Sequence, residues 1–377
     1  MPSLKKTSNK KIIKVAEPIT GLKEFNAIKN IIISGKYVSG SNVKLFEEKF
    51  SKKFNHKYSV ALNSGTAALH CALISLGIKA NDEVIVPAIS FASTATSVLH
   101  NGSKPIFCDV SLENYCLDPE DLKNKISKKT KALIITHFTG NCCDMDKISK
   151  IVKENKILLI EDCAQAHGSK YKGKYVGNFG DAACYSFYAT KHLTTGEGGM
   201  VVFKNAKHAE MAKKIRNHGL IDRNNHVLVG YNYRMNELQA RIGIVQLSRF
   251  EKLKTKRIMN SKYLIRKISN NKKLKWLSPQ SLEKKIVHTF FWCPFFINKE
   301  KIKLQKLKKH LLNKGIEIRE RYEFPLYKQK IFKKFHKKNL KNAELLAGNI
   351  FGLPNHHLLK KSELDYIISC LEKFSNK

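Results

Sequence analysis

Three short apolar runs, 157–160, 182–187 and 200–203, lie close together in the chain with turn residues between them. Each has the length of a buried strand. The first runs into Glu161-Asp162. The second contains Ser186, five residues before Lys191, and Gly196-Glu197-Gly198-Gly199 precedes the third. An acid, a hydroxyl and a lysine therefore stand just past strand ends, where open α/β sheets bind ligands.

The same rhythm extends upstream. Strands are expected at 58–62, 84–86, 106–108 and 132–136, the last with His137 at its end. Helices are expected at 24–33, stopped by Ser34-Gly35, and at 43–54, with Leu45, Phe46, Phe50 and Phe54 on one side. Another helix carries Leu69, Leu73 and Leu76, and Ser90-Phe91 opens one running through Leu99. This alternation predicts an α/β fold with a mostly parallel sheet between helices.

Further on, the pattern predicts a helix over 211–217 and an aromatic loop at Gly230-Tyr231-Asn232-Tyr233-Arg234. A long helix runs from Asn236 to about Ile268. Beyond it come strands near 288–297 and 315–319, and helices near 301–313 and 362–374, the last capped by Ser362. We read residues 1–250 as a large domain, with 1–20 an arm lacking its own core. Residues 251–377 form a smaller C-terminal α/β domain.

A formal charge of +38 raises the question of nucleic acid. The excess is mostly lysine: 60 lysines stand against nine arginines, and residues 251–377 alone carry a net +22. Runs of this kind within amphipathic segments are solvated helix faces. Neither a zinc-finger spacing nor an RNA-recognition aromatic pattern accompanies them, so no specific nucleic-acid partner is expected. A basic surface still favours polyanionic small molecules. No run has the roughly 20 apolar residues of a membrane span, and the basic N-terminus lacks a secretory apolar core. The reading is cytoplasmic. Nine cysteines without a Cys-x-x-Cys pair, two of them adjacent at Cys142-Cys143, suit buried reduced thiols rather than a zinc site or disulfide framework. Cys163 and Cys184 are candidate nucleophiles by position only.

The residues past the strand ends suit one chemistry. Pyridoxal phosphate needs a lysine amine, an acid that keeps its pyridine nitrogen protonated, and donors for its phosphate. Lys191, Asp162 and Ser186 can fill these roles. A second phosphate cup is written earlier, where the strand at 58–62 feeds Asn63-Ser64-Gly65-Thr66 into a helix. Its first N–H groups and dipole favour an anion, and Gly65 lets the backbone come close.

The joint order of several stretches resembles the DegT/StrS family of pyridoxal phosphate-dependent nucleotide-sugar aminotransferases, of the aspartate aminotransferase fold type (fold type I). They are Ser34-Gly35, 63–69 (NSGTAAL), 82–87 (DEVIVP), 161–168 (EDCAQAHG), 180–199 (GDAACYSFYATKHLTTGEGG) and 230–238 (GYNYRMNEL). The resemblance implies that Lys191 carries the Schiff base and shuttles protons, and that Asp162 pairs with the pyridinium. It implies that Gln165 bonds the cofactor's 3-oxygen, that Gly65, Thr66 and Ser186 hold the phosphate, and that Phe91 lies against the pyridine face. Asn232 would reach a neighbour's phosphate in a homodimer with shared active sites. Arg319 is a further candidate for a substrate phosphate or carboxylate.

The implied reaction takes an amino group from L-glutamate to a nucleotide-linked keto sugar, expected to be a 4-keto-6-deoxy sugar, for surface polysaccharide or glycoconjugate synthesis. The family also contains dehydratases with histidine in place of the lysine. Dehydration, amination at C3 and a non-catalytic regulatory role are the alternatives.

Overall fold

Strand and helix alternate from residue 58 to residue 162 in the computed structural model, which describes residues 12–298, 302–320 and 322–375. Leu22–Ser34 (α1) and Ser41–Phe54 (α2) come first, then Tyr58–Leu62 (β1) and Gly65–Ser75 (α3). Next come Glu83–Pro87 (β2), Ser93–His100 (α4), Lys104–Cys108 (β3), Pro119–Lys125 (α5), Thr130–Thr136 (β4), Met145–Glu154 (α6) and Leu158–Asp162 (β5). The short strands Lys170–Tyr171 (β6) and Lys174–Tyr175 (β7) precede Ala182–Ser186 (β8), Gly199–Phe203 (β9) and Ala206–Ile215 (α7).

β1, β9, β8, β5, β4, β2 and β3 form one seven-stranded sheet in that order. Every neighbouring pair is parallel except the two that involve β9, which runs opposed between β1 and β8. The expected mostly parallel sheet is present. Its central strands are buried on both faces and so read as continuous apolar runs. Alternation along β8 sorts the helices. Tyr185 meets the ring of Phe50 from α2 at 5.0 Å. Its neighbour Ser186 abuts Gly65 at the start of α3. Successive strand residues point to opposite faces, so α2 and α3 cover opposite sides of the sheet.

Glu237–Ser269 (α8) is a 33-residue helix, about 50 Å long. Asn236 caps it, accepting from Gln239 N at 2.8 Å, while the Gln239 side chain accepts from Asn236 N at 3.2 Å. Both ends lie within a residue of expectation. Its first residue also serves α2, which has no side-chain cap of its own. The Glu237 carboxylate accepts from Gly40, Asn42 and Val43 N–H at 2.9 to 3.0 Å.

Leu277–Pro279 (β10), Ile286–Val287 (β11), Cys293–Ile297 (β12), Leu304–Asn313 (α9), Arg319–Glu320 (β13), Lys341–Leu346 (α10), Ile350–Leu353 (β14) and Lys361–Ser375 (α11) complete the chain. β10, β12, β14 and β13 form an antiparallel sheet with its own core, which includes Leu264, Phe295, Leu307, Phe351 and Leu371. Ile13, from the expected arm, pairs with Ile316 and is buried in this core; residues 1–11 of that arm lie outside the described residues. Phe291, Trp292 and Tyr327 join the core of the seven-stranded sheet instead.

Some boundaries differ from the sequence reading, each for a local reason. α4 begins at Ser93, because the Ser90 hydroxyl is engaged with Thr94 and Thr136. α7 begins at Ala206, capped by Asn205, whose side chain accepts from Lys207 N. The strand expected over 288–297 is cut short because Phe290 sits at φ 53°. The expected 315–319 strand contracts to Arg319–Glu320, after Gly315 at φ 75°. Ser362 lies inside α11 rather than capping it; the Glu363 carboxylate accepts from Lys360 N at 2.8 Å.

Candidate active site

The C-terminal ends of β5 and β8 and the start of α3 meet around a cavity of about 360 Å³. Seven of the sequence-derived residues line it: Gly65, Thr66, Phe91, Asp162, Gln165, Ser186 and Lys191, and Arg319 lines it too. Asn232 does not. It is exposed on the 230–234 loop, where its carbonyl accepts from Asn63 Nδ2 at 3.0 Å.

One end of the cavity is built for an anion. Ser64 caps α3, its hydroxyl accepting from Ala67 N at 3.1 Å. The N–H groups of Gly65 and Thr66 then lie in the first turn, where a helix has no partners of its own for them. A Cβ on Gly65 would lie 2.7 Å from Ser186 Cβ. Only glycine lets this turn close onto the end of β8, which brings the Ser186 hydroxyl beside the helix start.

Asp162, also in the cavity wall, is 3% exposed. One carboxylate oxygen accepts from Thr94 Oγ1 at 2.8 Å and the other from Ala164 N at 3.1 Å. Burial raises its pKa against the opposing pull of those two bonds and of Lys191. Thr94 gives its proton to Asp162, so Ser90, 2.7 Å away, donates to Thr94, and Thr136, 3.0 Å from Ser90, donates to Ser90. This relay of hydroxyls orients the acid. Sequence reasoning missed Thr94 because a threonine in a first helical turn is common.

Lys191 follows a turn in which its N–H donates to Tyr188 O at 2.9 Å. Its Nζ lies 4.4 Å from the centre of the Phe291 ring, and the Arg319 guanidinium lies 4.9 Å from the same ring. Phe291 and Tyr322 complete the wall. Neither was legible, since each follows an irregular segment far along the chain.

Cys163 and Cys184 are buried, and burial pushes both thiols well above their ordinary pKa. Thiols held neutral are poor nucleophiles. His137 and Glu161 do not line the cavity. Glu161 is wholly buried and accepts from His137 Nε2 and from the N–H groups of Gly177, Phe179 and Gly180. Burial alone would raise its pKa, but these bonds outweigh it and lower it. Cys163 lies close enough to this pair for a three-ligand metal cluster. With four donors already on one carboxylate, the group reads as a clasp on the 177–180 turn.

An anion cup, a buried acid and a lysine in the wall of one cavity fit pyridoxal phosphate. The Gly65–Ser186 approach suits its phosphate, and the raised pKa of Asp162 marks a carboxylate in want of a cation such as a ring N–H.

A family model described as the DegT/DnrJ/EryC1/StrS aminotransferase family matches residues 18–372. GDP-perosamine synthase of Escherichia coli O157:H7 is 33% identical over 369 residues, covering 97% of this chain and 99% of the relative. Helicobacter pylori PseC, an aminotransferase involved in the biosynthesis of pseudoaminic acid, superimposes with a TM-score of 0.91 and 27% identity, covering 97% of this chain and 100% of that one. Streptococcus pneumoniae Spr1654 in its PLP form gives a TM-score of 0.90 with 25% identity, covering 97% and 99%. Among the described residues, no helix is long and apolar enough to cross a membrane.

Proposed function

Because the chain belongs to the DegT/DnrJ/EryC1/StrS aminotransferase family, and is therefore a sugar aminotransferase, we propose that it moves an amino group from L-glutamate to a nucleotide-linked 4-keto-6-deoxy sugar. Lys191 and Asp162 in the wall of one cavity that also holds the Gly65–Ser186 anion cup are the observation that supports the reading. The relative named for GDP-perosamine supports a nucleotide-linked product. Lysine rather than histidine at position 191 favours amine transfer over dehydration.

Bound pyridoxal phosphate supplies a carrier for the amine and a ring that spreads carbanion charge. The chain's own groups do the rest. Gly65, Thr66 and Ser186 would hold the phosphate, and Phe91, also in the cavity wall, would pack on the ring. Asp162, oriented by Thr94, keeps a ring nitrogen protonated. Lys191 anchors the carrier through its amine and then moves the proton at its Nζ. Gln165 presents a donor to the ring oxygen. The same cavity takes a small dicarboxylate and a large diphosphate in turn, and Arg319 supplies one fixed cation in its wall.

The test separates the two halves of the reaction. The loaded protein is treated with glutamate, freed of 2-oxoglutarate and given candidate ketones one at a time. The original visible band should return with a 4-keto sugar nucleotide. Return with simple keto acids alone would overturn the proposal.

We further propose a homodimer in which Asn232 serves the neighbour's phosphate, since in one chain it stands outside the cavity it was expected to serve. An equimolar mixture of Lys191→Ala with an Asn232→Ala variant weak in cofactor binding should regain, after subunit exchange, up to about a quarter of wild-type activity, because about half the dimers are hybrid and one of the two sites in each carries both intact residues. No recovery after demonstrated subunit exchange would exclude a shared site.

A further inference from the structure

The amide of Gln165, 3% exposed, is held differently at its two ends. Oε1 accepts from Thr139 N at 3.0 Å and from Trp292 Nε1 at 3.4 Å. Nε2 donates to the Tyr322 hydroxyl at 3.4 Å. A backbone N–H and an indole N–H can only donate. A flipped amide would set its NH2 against both. Chemistry therefore fixes the orientation, and the free valence of the outward end is an N–H.

The two donors reach this point on costly backbone. Thr139 is β-branched and buried, yet sits at φ 60°, ψ 5°. Phe290, two residues before Trp292, has φ 53°, and Tyr322 has φ 85°. Such conformations persist only where their surroundings over-determine them. Here the 138–141 turn is stitched to the 289–291 segment: Thr289 N donates to Gly140 O at 3.0 Å, and Phe291 N to Thr139 O at 2.7 Å. Gly140, at φ 97°, permits the approach, since a Cβ there would lie 2.8 Å from Phe290 N. The Trp292 ring lies nearly parallel to Tyr322 at 6.0 Å and edge-on to Phe138 at 5.8 Å. Thr139 and Tyr322, which bond the amide, and Phe290, two residues before its third partner Trp292, are thus all left-handed.

We propose that Trp292 Nε1–H and the Thr139 backbone N–H are positioning groups that lock Gln165 as a hydrogen-bond donor toward the ring oxygen of the bound carrier. This rests on the pyridoxal phosphate reading above. A donor on that oxygen draws charge from it and loosens its hold on the proton of the adjacent lysine-bound nitrogen. With the amide free to turn, Oε1 faces the oxygen part of the time and the proton is held more tightly. The other titratable and charged groups facing the cavity are Asp162, Cys184, Tyr185, Tyr188, Glu197, Arg319 and Tyr322. Behind Lys191, burial keeps His167 and His192 neutral.

Trp292→Phe keeps an aromatic ring on Phe138 and Tyr322 and removes the N–H. In the pyridoxal phosphate-loaded protein without substrates, the pH midpoint of the visible band should rise by about half a unit, the scale of one neutral hydrogen bond. Gln165→Ala should raise it further, and adding Trp292→Phe to Gln165→Ala should change nothing more. A second route leaves packing intact. The chain has two tryptophans, and the other, Trp276, has no partner for its Nε1 among the described residues. Replacing both with benzothienylalanine removes both N–H groups but only one hydrogen bond, that of Trp292, and should give the same half-unit rise. An unshifted midpoint in either protein, or additive shifts in the double variant, overturns this inference while leaving the cofactor reading intact. A wild-type protein that never forms a borohydride-reducible visible band overturns both.

Discussion

Lys191→Ala should bind pyridoxal phosphate without the borohydride-reducible colour and should lose turnover by at least about 10³-fold. The anion cup of Ser64, Gly65, Thr66 and Ser186 is untouched by the change, so cofactor affinity should fall far less than activity. Lys191 is the lysine lining the cavity, and its removal takes away the amine that anchors the carrier and the base that moves the proton. The Phe291 ring keeps its contact with Arg319, so the wall should hold its shape. The measurement is kcat beside an absorbance titration with cofactor. Full activity in the variant would remove the central claim.

Asp162→Asn should lower turnover by about 10² to 10⁴-fold while leaving the fold as stable as before or more so. An amide cannot hold a ring nitrogen in its charged form. It can, however, keep the local bonds. Its oxygen retains the Ala164 N–H, and its NH2 meets Thr94 if the Thr136–Ser90–Thr94 hydroxyls reverse, as hydroxyls can. The stability sign follows from the raised pKa. Folding favours the protonated acid, so ionising Asp162 works against the fold once pH exceeds the unfolded value of 3.8. The variant removes that cost. Any rise in Tm of the cofactor-free protein should therefore show at pH 7 and vanish near pH 3. A fall in Tm that tracks the loss of activity would make Asp162 a structural acid only.

Much of this site was legible because strand ends advertise themselves. The run into Glu161-Asp162, the run ending at Ser186 and the Asn63-Ser64-Gly65-Thr66 turn are all local patterns, in which apolar residues stop and a polar group or glycine follows. β1 was read to the residue for the same reason. The far wall was not legible. Trp292, Phe291 and Tyr322 depend on left-handed backbone at Phe290 and Tyr322, and residue type does not announce such geometry in a phenylalanine or a tyrosine. Thr94 was hidden by its ordinariness. The Asn232 loop was legible as a motif, but its placement in one chain leaves it outside the cavity.

The opposed strand β9 has a consequence for when the protein becomes itself. Among the described residues β1 is an edge strand whose ladder is made with β9, and its last residue, Leu62, also bridges to Arg234, so the cup that follows β1 is set by later segments. A nascent chain makes residue 62 long before residue 199. At about 5 to 20 residues per second, the turn at Ser64-Gly65-Thr66 waits roughly 7 to 30 seconds for the strand that will hold it. Until then β2, β3, β4 and β5 can zip together as ordinary parallel neighbours, whereas β1 has nothing to join. Birth order and spatial order are thus at odds at one edge of the sheet. The earliest part of the cavity to be synthesised is among the last to acquire its shape.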